Sequence, residues 1–152
     1  MAADKTRFYK LATKKLTLKL LHVSNQKLFQ IALVVRDYDE AIEFYVGKLG
    51  FDLIEDTVMS ETKRWVVVSP GKNSCKLLLA KAADEHQRSR VGDQTGGRVF
   101  LFMYTDDIDA DEIRLRKEGI RIVRGPVTEP FGKVIVFEDL YGNKWDLIQP
   151  AQ

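Results

Sequence analysis

The chain has 152 residues, 45% hydrophobic and 30% charged, enough for one compact core and too few for two ordinary domains. Of its 24 basic and 22 acidic side chains, seven basic and one acidic lie within residues 1 to 27. The remainder is mildly acidic and lacks the basic face that neutralising phosphates requires, which argues against a nucleic-acid partner. No apolar run approaches the roughly 18 residues of a membrane span, and the single cysteine, Cys75, leaves no internal disulfide or cysteine-based zinc knuckle. The expectation is a soluble protein of a reducing, cytoplasmic compartment.

In chain order, residues 1 to 27 form a basic N-terminal extension in which Phe8, Leu11, Ala12, Leu16, Leu20 and Val23 share one helical face, with lysines opposite. It reads as a helix packed on the body, an appended extension, or a targeting peptide, though transit peptides favour Arg and Ser over Lys. A first module, residues 28 to 81, opens with the strand-like "FQIALVV". Asp37 followed by Glu40 is a capping-box pattern. Ala41, Ile42, Tyr45 and Leu49 give the helix an inward face, and Gly50 is its stop. "RWVVVSPGKNSCKLLLA" reads as two strands around a Pro-Gly turn, with Cys75 as a structural thiol.

Residues 82 to 97 are polar and end in paired glycines, a linker or a mobile flap. A second module, residues 98 to 150, opens with "VFLFMYT". It continues with a helix capped by Asp107, supplied with Ile108, Ile113 and Leu115 and stopped at Gly119. It closes with two strands around Tyr141-Gly142-Asn143. Glu138 and Asp139 read as solvated turn acids, and His22 and His86 as solvated histidines.

"VRDYDEA" (35 to 41) and "TDDIDAD" (105 to 111) superimpose at an offset of 70 residues, as do the strands and glycines around them, with single-residue gaps. Each half is strand, helix, three strands. The fold class is α+β, two βαβββ modules in tandem forming a curved mixed sheet around a cleft.

The duplicated module, "LVVRDYDEAIEFYVGKLGF" and the closing "FEDLYGNKWDLIQP" resemble the vicinal oxygen chelate superfamily, which includes glyoxalase I, extradiol dioxygenases and bleomycin-resistance proteins. The resemblance covers residues 28 to 150. It implies a cleft in which the first and fourth strands of each module carry metal ligands. Those positions fall on Gln30, on Lys76 or Leu77, on Phe100 and on Asp146. Only Gln30 and Asp146 carry ligand-capable side chains, so no metal is expected; if there is one, it is a divalent Zn, Ni, Fe or Mn.

The resemblance then implies a ligand-binding cleft with Gln30, Trp65, Lys76, Phe100, Phe102 and Asp146, with Tyr104 and Phe131 as further candidates. Trp65 and Phe102 have a competing reading as core residues. A buried lone carboxylate is costly, so Asp146 should pair with Lys76, its mate at the offset of 70, or with Arg98, stay hydrated, or await a cationic or hydrogen-bonding ligand. The expected function is a degenerate glyoxalase/bleomycin-resistance-like binder of a small organic molecule, working as a homodimer. The alternatives are a metal-dependent lyase or dioxygenase and a non-catalytic interaction module; whether the protein is an enzyme stays open.

Overall fold

The protein is represented by a computed structural model that describes residues 25 to 151. The amphipathic segment and His22 lie outside the described residues. The first module consists of β1 (Gln30–Val35), α1 (Tyr38–Ile42, continuing as a π-helical stretch Glu43–Lys48), β2 (Asp52–Val58), β3 (Arg64–Ser69) and β4 (Lys76–Lys81). A short α2 (Glu85–Arg88) lies in the linker. β5 (Val99–Tyr104), α3 (Ile108–Lys117), β6 (Ile122–Glu129), β7 (Gly132–Glu138) and β8 (Lys144–Pro150) make the second. The strands form two four-stranded sheets, ordered β1-β4-β3-β2 and β5-β8-β7-β6. In each, the first and fourth strands run parallel and the other neighbours antiparallel. The duplicated α+β architecture is therefore the one the repeat predicts.

Local chemistry explains the helix ends, with one correction. Asp37 accepts from the backbone N–H of Asp39 and Glu40, and Asp107 from that of Ala110, satisfying donors that a helix start leaves free. Glu40 does not complete a capping box. Its carboxylate takes the Arg36 guanidinium (3.0 Å) and the Tyr141 hydroxyl (2.8 Å) instead. Gly50 (φ 75°) and Gly119 (φ 69°) adopt the left-handed conformation that stops each helix. The inward face of α1 holds Tyr38, Ala41, Phe44 and Tyr45, with Leu49 buried just beyond the helix and Ile42 packed partly buried against the core, so the expected inward residues face inward. On α3, Ile108 and Leu115 are buried, whereas Ile113 points to solvent.

One core serves both modules. Leu33, Val35, Leu77 and Leu79 of the first sheet meet Ile135, Phe137, Trp145 and Leu147 of the second, with Tyr45 and Phe51 between them. The Trp145 ring stacks on Phe137 (centroids 6.0 Å apart) and lies 6.1 Å from Tyr45 and 6.2 Å from Phe51. Each such fully buried side chain contributes about 2 kcal/mol of transfer free energy. Successive strand residues point to opposite faces, so the two faces that carry Gln30 and Lys76 on one sheet and Asp146 on the other turn away from this shared core.

The linker is pinned. The Gln94 side chain accepts from Val34 N–H (3.4 Å) and donates to Val34 C=O (3.1 Å), acting as a short surrogate strand on the free edge of β1. Its own N–H donates to the Asn143 side chain (3.3 Å). No helix among the described residues is long and apolar enough to cross a membrane.

Candidate functional site

The open face of the second sheet is built around Asp146. β8 places Asp146 abreast of Phe102 on β5 and Val136 on β7, and Val136 is in turn abreast of Arg124 on β6. Val134 and Val136 on β7 are buried, while Phe102 and Tyr104 on β5, across β8 from them, stand 65% and 79% exposed. The Arg124 guanidinium is engaged with Glu129, and Lys144 Nζ with the Gly97 carbonyl (3.2 Å). Asp146 Oδ1 is fully shielded and has no hydrogen-bond partner. Its pKa is raised from the ordinary value, first by desolvation, with a partial opposing effect from Arg124.

The raised pKa has a consequence for stability. Folding favours the protonated carboxyl, so this contribution is fully present below the ordinary value of 3.8 and is lost as pH rises through the folded value. Asp146→Asn is therefore expected to raise stability at pH 7, by less than about 1 kcal/mol because the carboxyl is partly solvent-screened, and to give no gain in acid below the ordinary carboxylate range. Thermal unfolding at both pH values checks this; a lower melting temperature for the variant at pH 7 would contradict it.

The hairpin that carries Asp146 is held by a residue that the sequence alone assigned to solvent. Asp139 is buried and accepts five hydrogen bonds. They come from Tyr45 Oη (2.6 Å), Asn143 Nδ2 (2.9 Å), Trp145 Nε1 (3.3 Å) and the backbone N–H of Tyr141 (2.9 Å) and Asn143 (3.0 Å). Burial raises the Tyr45 phenol well above its usual pKa, and the adjacent carboxylate adds to this, keeping it a donor. The Asp-Gly-Asn composition of the turn was the available signal. Nothing local pointed to Tyr45, 94 residues away.

The residues proposed for the cleft divide into three groups. Phe102 and Asp146 come together. Phe100 does not join them: a bulge between Val99 and Leu101 shifts the register, and the Phe100 ring packs edge-on against Trp145 at 6.4 Å, against the core. Gln30 and Lys76 are abreast on the first sheet's open face, and Trp65 is half-buried in a depression beside Leu78 and Ala80. Lys76 makes no ion pair with Asp146 within the chain; its ammonium lies over the Phe29 ring, 4.9 Å from the centroid. Nor does Arg98 pair with Asp146. His86 is exposed on α2, and Phe131 is exposed in the β6–β7 turn.

A separate groove of about 480 Å³ runs along the seam between modules, lined by Ile31, Leu77, Leu101 and Met103 with half-buried Cys75 at its rim. Of the expected cleft residues, only Phe102 and the further candidate Tyr104 border it. Among the described residues no group of three or more His, Cys, Asp or Glu could hold a metal ion. Around Asp146, Phe102 offers no donor atom and Arg124 is a cation, so the residues present do not fit the divalent metal that the fold would imply.

A profile of the Glyoxalase/Bleomycin resistance protein/Dioxygenase superfamily matches residues 27–147. The chain belongs to this superfamily. An uncharacterized protein of Shewanella frigidimarina (strain NCIMB 400) is 59% identical over 126 residues, 82% of this chain and 93% of that protein. Among solved structures, UcmS2 superimposes with a TM-score of 0.71 at 30% identity, covering 82% of this chain and 98% of that one. TnmS3, described as an antibiotic binding protein from Streptomyces sp. CB03234, superimposes with a TM-score of 0.69 at 30% identity, covering 86% and 100%. Within the glyoxalase/bleomycin-resistance superfamily one scaffold hosts different activities, so the function of this member rests on its own open faces.

Proposed function

We propose that the protein binds a small organic molecule on the open face carrying Phe102, Tyr104 and Asp146, in a cleft that a second copy of the chain closes with the open face of its first sheet. The observation that carries this reading is the exposure of two neighbouring aromatic side chains, Phe102 and Tyr104, 65% and 79%, on the strand beside Asp146. Apolar surface left in water costs about 25 cal/mol per Å², and large exposed apolar patches mark binding surfaces. Gln30, Lys76 and Trp65 lie on the other open face, which within one chain does not meet Asp146. A second copy brings the two faces together. The description of TnmS3, 30% identical, as an antibiotic binding protein supports a binding role.

Light scattering of the full chain is expected to give a dimer mass; a monomer would sink the second copy's part. Nile red, an uncharged aromatic probe, is expected to bind saturably, and Phe102→Glu and Tyr104→Glu to abolish that binding while Ile113→Glu, on the exposed face of α3, leaves it intact. Equal loss in all three variants would contradict this location.

A further inference from the structure

We infer that the molecule bound beside Phe102 and Tyr104 is an extended peptide with apolar side chains, which adds as a further strand to the free edge of β5. The inference rests on the proposed binding reading and adds the chemical class of the ligand. β5 is an end strand, hydrogen-bonded only to β8. Thr105 N–H donates to Ile148 C=O on β8 (2.9 Å), and the backbone groups of successive residues point to opposite sides of a strand. The N–H and C=O of Phe102 and Tyr104 therefore point away from β8, and among the described residues nothing pairs with them.

The other three sheet edges are defended, and this one is not. The Gln94 side chain occupies the edge of β1 at Val34. β2 carries Asp52, Glu55 and Asp56, and β6 has two bulges and Pro126. Charge, proline, bulges and cover are the means by which native proteins keep an edge from pairing. β5, VFLFMY, has no charge and no proline, and its single bulge lies at its start. An edge of this kind is the surface that strand addition uses, main-chain bonds giving affinity and alternate side-chain contacts giving selectivity.

The space beside the edge suits such a guest. Leu101 to Thr105 are consecutive and all border the groove of about 480 Å³. Alternate side chains point to opposite faces, so the groove is walled by the edge of β5 and not by one face of it. Ile31 and Leu77 line it from the first module. An added strand sends one set of side chains into this groove and the other onto Phe102 and Tyr104. The groove's two charged residues, Asp111 and Arg114, are paired with each other at 2.7 Å, which favours apolar side chains. Its volume lies in the range of small-ligand sites, about 300 to 1,000 Å³, and so fits a peptide of a few residues.

Titration of the full chain with N-dansyl-Val-Thr-Val-Thr-amide, an uncharged β-prone peptide, tests this. The control keeps the same side chains and carries esters in place of the peptide links, which removes the N–H donors. The peptide is expected to bind about tenfold or more tightly than the ester and to slow hydrogen exchange at the Phe102 and Tyr104 amides. Phe102→Pro removes a free-edge N–H while sparing the ladder to β8 and should weaken the peptide; if that variant does not fold, exchange in the natural protein decides. Replacing both valines of the peptide by glutamate should abolish binding, and undiminished binding would overturn the apolar class. Equal affinities for peptide and ester, or binding of neither, with Nile red still binding, would overturn strand addition and leave the binding reading standing. If peptide, ester and Nile red all fail to bind, both fall. If the two amides are protected in a dimer without peptide and exposed on dilution to monomer, the edge belongs to the second copy and the inference is wrong.

Discussion

Asp139→Ala is expected to destabilise the protein by about 3 to 5 kcal/mol, the usual cost of removing one member of a buried polar cluster and leaving the others unpaired. The carboxylate is the common acceptor for five donors: Tyr45 Oη, Trp145 Nε1, Asn143 Nδ2 and the backbone N–H groups of Tyr141 and Asn143. Each donor left unsatisfied in the interior costs about 1 kcal/mol or more, and water entering the vacated volume recovers part of that. Asp139→Asn keeps the volume and one acceptor oxygen but turns an N–H₂ group toward other donors, so an intermediate loss is expected. Tyr45→Phe removes one donor together with its need for a partner and should cost only about 1 kcal/mol. Urea unfolding followed by tryptophan fluorescence orders the three. A loss below that of Tyr45→Phe for the Asp139→Ala variant would remove Asp139 from the centre of the fold. The effect reaches the site, because the turn held by Asp139 sets the pairing of β7 with β8 and hence the position of Asp146.

How much of this was legible follows from the distance over which each feature is specified. Asp37, Asp107, Gly50 and Gly119 act within a few residues of themselves, so helix starts and stops could be read directly. The duplication repeated the elements at an offset of 70 residues, with single-residue gaps, and so exposed the architecture. Phe100 was misplaced because counting residues assumes an unbroken register, and the bulge at the start of β5 inserts one residue and turns the ring toward Trp145. Phe102 takes the place beside Asp146. Asp139 could not be recognised because its most demanding partner comes from α1, in the other module. The exposed Ile113 reflects the limit of a pattern argument: an apolar residue on a helix is not obliged to face the core.

The second large effect is expected at Gly92, where Gly92→Ala should cost about 2 to 5 kcal/mol, the sum of a conformational and a steric contribution. Its φ of 81° lies in the left-handed region, where a Cβ costs about 1 to 2 kcal/mol. A Cβ there would also come within 2.0 Å of the Tyr141 carbonyl oxygen and 3.0 Å of its carbon. Tyr141 cannot retreat: its hydroxyl is bonded to Glu40 at 2.8 Å and its ring lies under the Arg36 guanidinium. The linker has to lift instead, at an overpacking cost of about 1 to 3 kcal/mol. Gly96 separates the two contributions, since its φ is 65° and nothing lies within 4 Å of where a Cβ would sit; Gly96→Ala should show the conformational cost alone. Calorimetric melting of the two variants, with hydrogen exchange at the Val34 amide, measures the difference, and equal losses would show that close approach to Tyr141 is immaterial. Lifting the linker also withdraws Gln94 from Val34. The unpaired edge of β1 is then open to other chains, so Gly92→Ala should aggregate on heating where Gly96→Ala does not. Residues 82 to 97, on this account, act as a clasp that closes a sheet edge and ties the first module to the Asn143 turn of the second.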